Sequence, residues 1–351
     1  MTQDQKYIKR CLDLASMGAA SVSPNPMVGA VIVHQDKIIG EGFTSPYGGP
    51  HAEVNAVQSV IASYGQKTAQ ELFKKSVIYV SLEPCVHFGK TPPCADMLVS
   101  YHFSKVVIGC LDPFAKVNGQ GVQKLKDAGI QVLVGVLEKE CQFINRRFFT
   151  RISKFRPYVI LKWAETKDGF FAPKDQSQRW ISNVASKQLV HLYRSQEDAI
   201  LVGTKTALSD NPALNNRLWS AKSPKRVLID KNLSVPSDYK LFAADGVDVI
   251  IFNAIKTDWQ GNLKYIQLEN FDLYLPQNIL YQLYLMDVQS IIIEGGARTL
   301  ETFIKAGLWD EARVFTGSEA WQEGVLAPTI PTQSAETYQV ADNKLEIYYN
   351  L

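Results

Sequence analysis

Apolar residues recur along residues 4–17 at spacings of three and four, with Tyr7, Ile8, Cys11, Leu12 and Ala15 on one stripe. That period predicts an amphipathic helix. Residues 28–33 form an unbroken apolar run, and Gln35-Asp36 turns it back into a second strand over 37–42. A helix follows over 52–64, with Ala56, Val57, Val60, Ile61 and Tyr64 on its apolar face. A buried strand is expected over 77–82 and further strands over 106–109 and 132–136, with helices over 122–128 and 139–149. The stretch Arg146 to Arg156 is basic and interrupted, and Pro157 follows it. It reads as a solvated linker, which sets expected domains of 1–150 and 151–351. Beyond it the pattern restarts, with strands over 158–164, 199–204, 226–229, 247–252, 264–267, 290–294 and 312–316. Helices are expected over 185–195, 278–285 and 299–306, and a hairpin over 338–349. Strands alternating with helices in both halves predict an α/β fold.

Composition fits this picture and narrows the function. A chain of 351 residues with 46% hydrophobic and 21% charged positions suits two globular domains. A net charge of +2 gives no basic field for nucleic acid. No apolar run reaches the length of a membrane span, and the first residues lack the apolar core of a signal peptide. Five cysteines, an odd number, argue against a secreted disulfide framework. A cytoplasmic enzyme, with neither nucleic acid nor membrane as partner, is the expectation.

The candidate chemistry of the first half lies in two segments. One reads Pro50-His51-Ala52-Glu53; the other reads Leu82-Glu83-Pro84-Cys85, followed after eight residues by Cys94. A catalytic zinc takes three protein ligands and leaves a fourth position for water, whose acidity it raises to near neutral pH. His51, Cys85 and Cys94 are the three ligand types required, and Glu53 is the general base that moves the proton of that water. Residues two apart on a helix lie roughly 200° apart, so His51 and Glu53 can meet only over a helix N-terminus, with Pro50 at the opening position. Cys94 follows Pro92-Pro93 and opens a second expected helix. A single buried cysteine or surface histidine is usually just that, but three ligand types in order, with Glu53 and Pro84 in place, outweigh this bland reading. Cys11, Cys110 and Cys141 have no ligand pattern and read as core thiols.

The second half is less explicit. Residues 291–293 lead into Glu294-Gly295-Gly296 and a helix, a turn that can hold a phosphate but is more often merely tight. It is not a dinucleotide fingerprint. Lys162 interrupts an apolar strand and marks either an edge or a site.

These residues together resemble the bifunctional riboflavin-biosynthesis pyrimidine deaminase/reductases over nearly the whole chain. The segments carrying the resemblance are Pro24-Asn25-Pro26-Met27-Val28-Gly29, Pro50-His51-Ala52-Glu53, Leu82-Glu83-Pro84-Cys85 and Gly89-Lys90-Thr91-Pro92-Pro93-Cys94. In the second half they are Arg156-Pro157-Tyr158-Val159, Ala199-Ile200-Leu201-Val202-Gly203 and Glu294-Gly295-Gly296. The long gap between Cys85 and Cys94 is the most specific mark. The resemblance implies a three-layer cytidine-deaminase-like domain followed by a dihydrofolate-reductase-like domain. It implies zinc-dependent deamination of 2,5-diamino-6-ribosylamino-4(3H)-pyrimidinone 5′-phosphate, then NADPH-dependent reduction of the ribosyl group to ribityl. A homo-oligomer is expected.

By the same resemblance His51, Cys85 and Cys94 are the zinc ligands, Glu53 the proton carrier, and Asn25, His87 and Lys90 substrate contacts. Ala164, Trp180, Thr206, Asp210, Gly296, Ala297, Arg298, Thr299, Leu300, Glu301 and Thr302 match cofactor positions. Gln178, Arg194, Leu214, Arg217 and Glu294 match substrate positions, with the arginines suited to the 5′-phosphate. Lys162 matches a lysine beside the reacting ribose. Thr44, Phe114 and Gln178 depart from the family's usual His, Asn and Ser, and Thr166-Lys167 from its usual Ser-Leu or Ser-Met. The competing readings are a cytidine or tRNA-adenosine deaminase with an unrelated second domain, and a catalytically silent zinc scaffold. The long Cys-to-Cys gap counts against the former and the intact Glu53 against the latter.

Overall fold

The apolar runs pair into two main sheets, one in each of two compact units, Met1–Phe155 and Arg156–Leu351. The structure is a computed structural model and describes residues 1–351 apart from 20, 87, 89–91, 116, 176–178, 335 and 351. The expected contacts of His87, Lys90 and Gln178 therefore lie outside the described residues.

In the first unit the elements run α1 (Gln3–Ser16), β1 (Gly29–His34), β2 (Lys37–Phe43), α2 (Ala52–Tyr64), α3 (Gln66–Phe73) and β3 (Val77–Leu82). They continue as α4 (Cys94–Ser100), β4 (Lys105–Cys110), α5 (Gln120–Asp127), β5 (Gln131–Val134), α6 (Glu138–Ile144) and α7 (Arg146–Lys154). The sheet order is β2-β1-β3-β4-β5. Strands β1 and β2 form the antiparallel hairpin, and β3, β4 and β5 run parallel. The two faces are covered by different helices. A Cβ on Gly29 would lie 2.0 Å from the Cys11 carbonyl oxygen of α1, whereas one on Gly42 would lie 2.4 Å from the Ala56 nitrogen of α2. Glycine at Gly42 thus lets α2 sit directly on β2, which fixes where its N-terminus ends up.

The second unit runs β6 (Tyr158–Glu165), β7 (Phe170–Ala172), α8 (Val184–Gln196), β8 (Ala199–Gly203), α9 (Thr204–Asp210), β9 (Lys225–Ile229), β10 (Val249–Asn253), β11 (Asp258–Gln260) and β12 (Leu263–Gln267). It then runs α10 (Leu275–Leu285), β13 (Ser290–Gly295), α11 (Ala297–Lys305), β14 (Glu311–Thr316), β15 (Val325–Leu326), β16 (Glu336–Val340) and β17 (Asn343–Tyr349). The main sheet has the order β11-β12-β10-β9-β8-β13-β6-β14-β17-β16. Its centre, from β12 to β14, is parallel, and antiparallel strands close both edges. Strands buried on both faces read as continuous apolar runs, as in 291–293. One face packs Leu161, Ile291 and Ile293 against Ile279 and Leu283 of α10 and Phe303 of α11. The other packs Ile200, Val202, Ile160 and Phe315 under α8 and α9.

Three readings are corrected. The single helix expected over 139–149 is two, α6 and α7, broken at Asn145. The basic run is no linker: it is α7, because Phe148, Phe149 and Ile152 form an i, i+4 apolar stripe between the arginines. Pro50 lies just outside α2, whose N-cap is His51.

Asn145 at that break ties two distant segments. Its Oδ1 accepts the Met27 N–H at 2.8 Å, and its Nδ2 donates to the Met27 carbonyl at 2.8 Å. The side chain is buried, so the pair acts as a miniature strand contact holding the loop that carries Asn25. Asn145→Ala leaves two backbone groups without partners, and a loss of about 2–3 kcal/mol in urea unfolding is expected. An unchanged unfolding midpoint would contradict this role for the clamp.

Candidate active sites

The first site forms where two helix starts meet the end of a strand. His51 caps α2, Cys94 is the first residue of α4, and Cys85 follows β3. The Cys85 Sγ and the Cys94 Sγ lie 3.5 and 3.4 Å from His51 Nδ1. A tetrahedral zinc with Zn–N about 2.0 Å and Zn–S about 2.3 Å places its nitrogen and sulfur ligands about 3.5 Å apart. The three ligand atoms all lie within 4.8 Å of one another, so the donor set fits the ion in both type and spacing. The Cys94 N–H points at Cys85 Sγ at 3.3 Å, and the Ala95 N–H donates to the Cys85 carbonyl at 3.1 Å. The α4 N-terminus thus serves the thiolate with its first amide and the Cys85 main chain with its second.

The electrostatics agree with these contacts. Hydrogen bonding from Cys94, and then from His51, draws the Cys85 thiol down to about 4. The reciprocal bond to Cys85 lifts His51 to about 9. Glu53 is buried, and loss of solvent raises its carboxyl to about 7 although His51 pulls the other way. A carboxyl at that value can both take and give a proton at neutral pH.

The loop that presents Cys85 hangs on Glu83, whose role the sequence left unread. Its buried carboxylate accepts the N–H groups of Asp112 (3.3 Å), Gly119 (2.9 Å), Gly121 (2.9 Å) and Val122 (3.1 Å). It therefore caps α5 and fixes Pro84-Cys85 against it. Asn25 sits in a turn closed by its N–H to the Val22 carbonyl at 2.9 Å. Thr44 is buried and its hydroxyl accepts the Val28 N–H at 3.2 Å, so it extends the hairpin rather than facing a ligand. Phe114 is half-buried, with its N–H on the Asp112 carboxylate at 2.8 Å.

The second site is a cavity of about 1080 Å³ at the carboxyl ends of β6, β13, β8 and β9, where open parallel sheets bind ligands. Lys162, Ala164, Trp180, Thr206, Asp210 and Glu294 line it. So do Gly296, Ala297, Arg298, Thr299 and Thr302 at the start of α11. Leu300 and Glu301 do not: helical geometry turns Leu300 into the core and leaves Glu301 paired with Lys305 at 3.1 Å. The glycines allow close approach, since a Cβ on Gly203 would meet Thr299 Oγ1 at 2.5 Å. Free N–H groups of α11 consequently face the cavity beside threonine hydroxyls, a setting for phosphate oxygens.

Lys162 lies on the central strand β6 and lines the cavity, so it does not mark a sheet edge. Glu294 stands 3.7 Å from it and accepts both Arg194 Nε (2.9 Å) and Nη2 (2.6 Å). Burial alone would raise Glu294, but Arg194 and Lys162 hold it down at about 2. Burial lowers Lys162, and Glu294 opposes that shift. Arg194 is committed to Glu294 and to the Asn215 carbonyl at 3.3 Å, so it is not free to fork onto a phosphate. Arg217 is exposed; its guanidinium bonds Asn215 Oδ1 at 3.3 Å and has no ion pair among the described residues. Leu214 is buried in the core of the sheet's α9 face.

A carboxyl held below its unfolded value adds stability that is complete above that value and is lost as pH falls toward the folded one. For Glu294 the share at stake is about 3 kcal/mol. Glu294→Gln is therefore expected to flatten the stability loss between about pH 5 and 2 in urea titrations. Identical slopes in the two proteins would contradict the pairing.

Each half of the chain has known relatives. Residues 1–110 match the cytidine and deoxycytidylate deaminase zinc-binding region, and residues 157–319 match the RibD C-terminal domain. The riboflavin biosynthesis protein RibD of Aquifex aeolicus is 37% identical over 350 residues, 98% of this chain and 95% of that protein. That of Escherichia coli is 32% identical, over 89% and 87%. A crystal structure from Thermotoga maritima, of a diaminohydroxyphosphoribosylaminopyrimidine deaminase/5-amino-6-(5-phosphoribosylamino)uracil reductase, is 32% identical. It superposes with a TM-score of 0.87, covering 98% of this chain and 97% of that one. With likeness of this extent running through both units, the chain belongs to the RibD family of riboflavin biosynthesis proteins.

Proposed function

We propose that the chain catalyses two successive steps of riboflavin biosynthesis, one in each unit. The first removes the amine of 2,5-diamino-6-ribosylamino-4(3H)-pyrimidinone 5′-phosphate by hydrolysis; the second reduces the ribosyl group of the product to ribityl. The observation that carries the reading is the His51, Cys85 and Cys94 triad at zinc-ligand distances, with buried Glu53 on the same helix start. Zinc, when held by these three residues, makes a water acidic enough to attack the ring carbon bearing the amine. Glu53 would take one proton from that water and pass it to the ring nitrogen as the oxygen bonds to the ring carbon, then take the second proton from that oxygen and pass it to the amine, which leaves as ammonia as the carbonyl forms. Its burial supports this, because a carboxyl near neutrality works in both directions. Asn25, on the clamped loop, is assigned to the pyrimidine edge.

In the second unit NADPH supplies the hydride. Thr206, Asp210 and the α11 start from Gly296 to Thr302 are assigned to the cofactor, and Ala164 and Trp180 to its reactive end. Within that run Leu300 and Glu301 are given no direct contact, since neither lines the cavity and the Leu300 N–H is bonded to the Gly296 carbonyl. Lys162 is assigned to the ribose, where its ammonium faces the sugar oxygens. Arg217 is assigned to the 5′-phosphate, and Arg194 to holding Glu294 in place for the substrate. The reading suits the cytoplasm, where reduced cysteines persist, and among the described residues no helix is long and apolar enough to cross a membrane.

Glu53→Ala is expected to slow ammonia release by about 10³-fold while zinc content and reduction of the deaminated substrate stay at wild-type levels. Equal loss of both activities would contradict separate sites. Lys162→Ala is expected to slow NADPH oxidation roughly 100-fold with deamination unchanged. An unaltered reductase rate would remove Lys162 from the chemistry.

A further inference from the structure

Helix α8 presents three successive turns to the loop that carries Arg217. At the first turn the Trp219 indole N–H donates to the Gln188 carbonyl at 2.8 Å. At the second the Arg217 backbone N–H donates to His191 Nδ1 at 3.4 Å. At the third Arg194 Nη1 donates to the Asn215 carbonyl at 3.3 Å. The loop braces itself as well: Asn216 Nδ2 donates to the carbonyls of Trp219 (3.1 Å) and Ala221 (3.2 Å). At the middle contact His191 is 3% exposed while Arg217 reaches solvent.

We propose that His191 is a positioning residue of the reductase site: by holding the Arg217 main chain it presents the Arg217 guanidinium to the substrate's 5′-phosphate. The inference rests on the assignment of Arg217 to that phosphate. Its chemistry requires an uncharged ring with the proton on Nε2 and a lone pair on Nδ1. Burial, then the charges of Arg194 and Arg217, bring His191 down to about 4, so the ring is uncharged at neutral pH. Glu294 and Lys162 also act on the ring, in opposite directions. A charged imidazolium could not accept the Arg217 N–H. Arg194, one turn on, grips Glu294 with one edge and the same loop with another. The phosphate-binding loop and the carboxylate beside Lys162 are thereby fixed by one helix face, which sets the reach between sugar and phosphate.

The test compares wild type, His191→Leu, His191→Asn and Arg217→Ala in steady-state reduction of the deaminated substrate, with and without its 5′-phosphate. Asparagine carries Oδ1 at the same number of bonds from Cβ as Nδ1 and can accept the same N–H. His191→Leu is expected to raise KM for the phosphorylated substrate about tenfold, the scale of one lost hydrogen bond. KM for NADPH, kcat and the thermal midpoint should stay near wild type, as should KM for the phosphate-free substrate. His191→Asn is expected to recover KM to within about threefold. The inference is overturned by an unchanged KM in His191→Leu, by an equal rise with the phosphate-free substrate, or by loss of fold or kcat in both histidine variants without a KM effect. A wild-type KM in Arg217→Ala would instead remove the phosphate assignment beneath it.

Discussion

Three ligand-type atoms, two sulfurs and an imidazole nitrogen, converge at 3.4 and 3.5 Å in the first unit, and much of that unit serves to bring them there. Such groups desolvated together require either shared protons or a cation, and burial makes the cation the better partner. Gly42 lets α2 lie against β2, which sets the position of His51 and Glu53. Glu83 gathers four backbone N–H groups and so fixes the chain just before Cys85. The start of α4 aims the Cys94 amide at the Cys85 sulfur.

The second unit solves a related problem without a metal cluster among its described residues. Lys162, Glu294 and Arg194 are charges withdrawn from water, and the two cations are tolerated because both pair with the Glu294 carboxylate. Only removal of Glu294 leaves both cations without their carboxylate. The cavity beside it has two kinds of wall: this ionic cluster, and the amides and hydroxyls at the start of α11. A dinucleotide with a reactive ring and a pyrophosphate matches that division.

Much of this was legible from sequence for identifiable reasons. The candidate ligands His51, Cys85 and Cys94 are of distinctive type and stand in order with Glu53 and Pro84, so residue type and order carried the reading. Strands such as 291–293 announced burial on both faces. What stayed hidden were contacts between distant positions. Met27 and Asn145 are separated by 118 residues, and Arg194 and Glu294 by 100, and no local pattern predicts either pair. Arginines masked the apolar stripe of α7, so a helix read as a linker. Arg194 and Arg217 looked equivalent as phosphate ligands until structure committed the first to a carboxylate. Leu300 and Glu301 fell in a matching run but on the wrong side of a helix.

The central claim is that one chain carries two chemistries in sequence. Its most direct test follows ammonia and NADPH together, using zinc-loaded wild-type protein and the diaminopyrimidine phosphate. Without NADPH, the account predicts ammonia release to completion and accumulation of the deaminated uracil. NADPH added afterwards should then be oxidised mole for mole with the ribityl product. No ammonia from zinc-loaded protein, or NADPH oxidation that precedes ammonia release, would contradict the account.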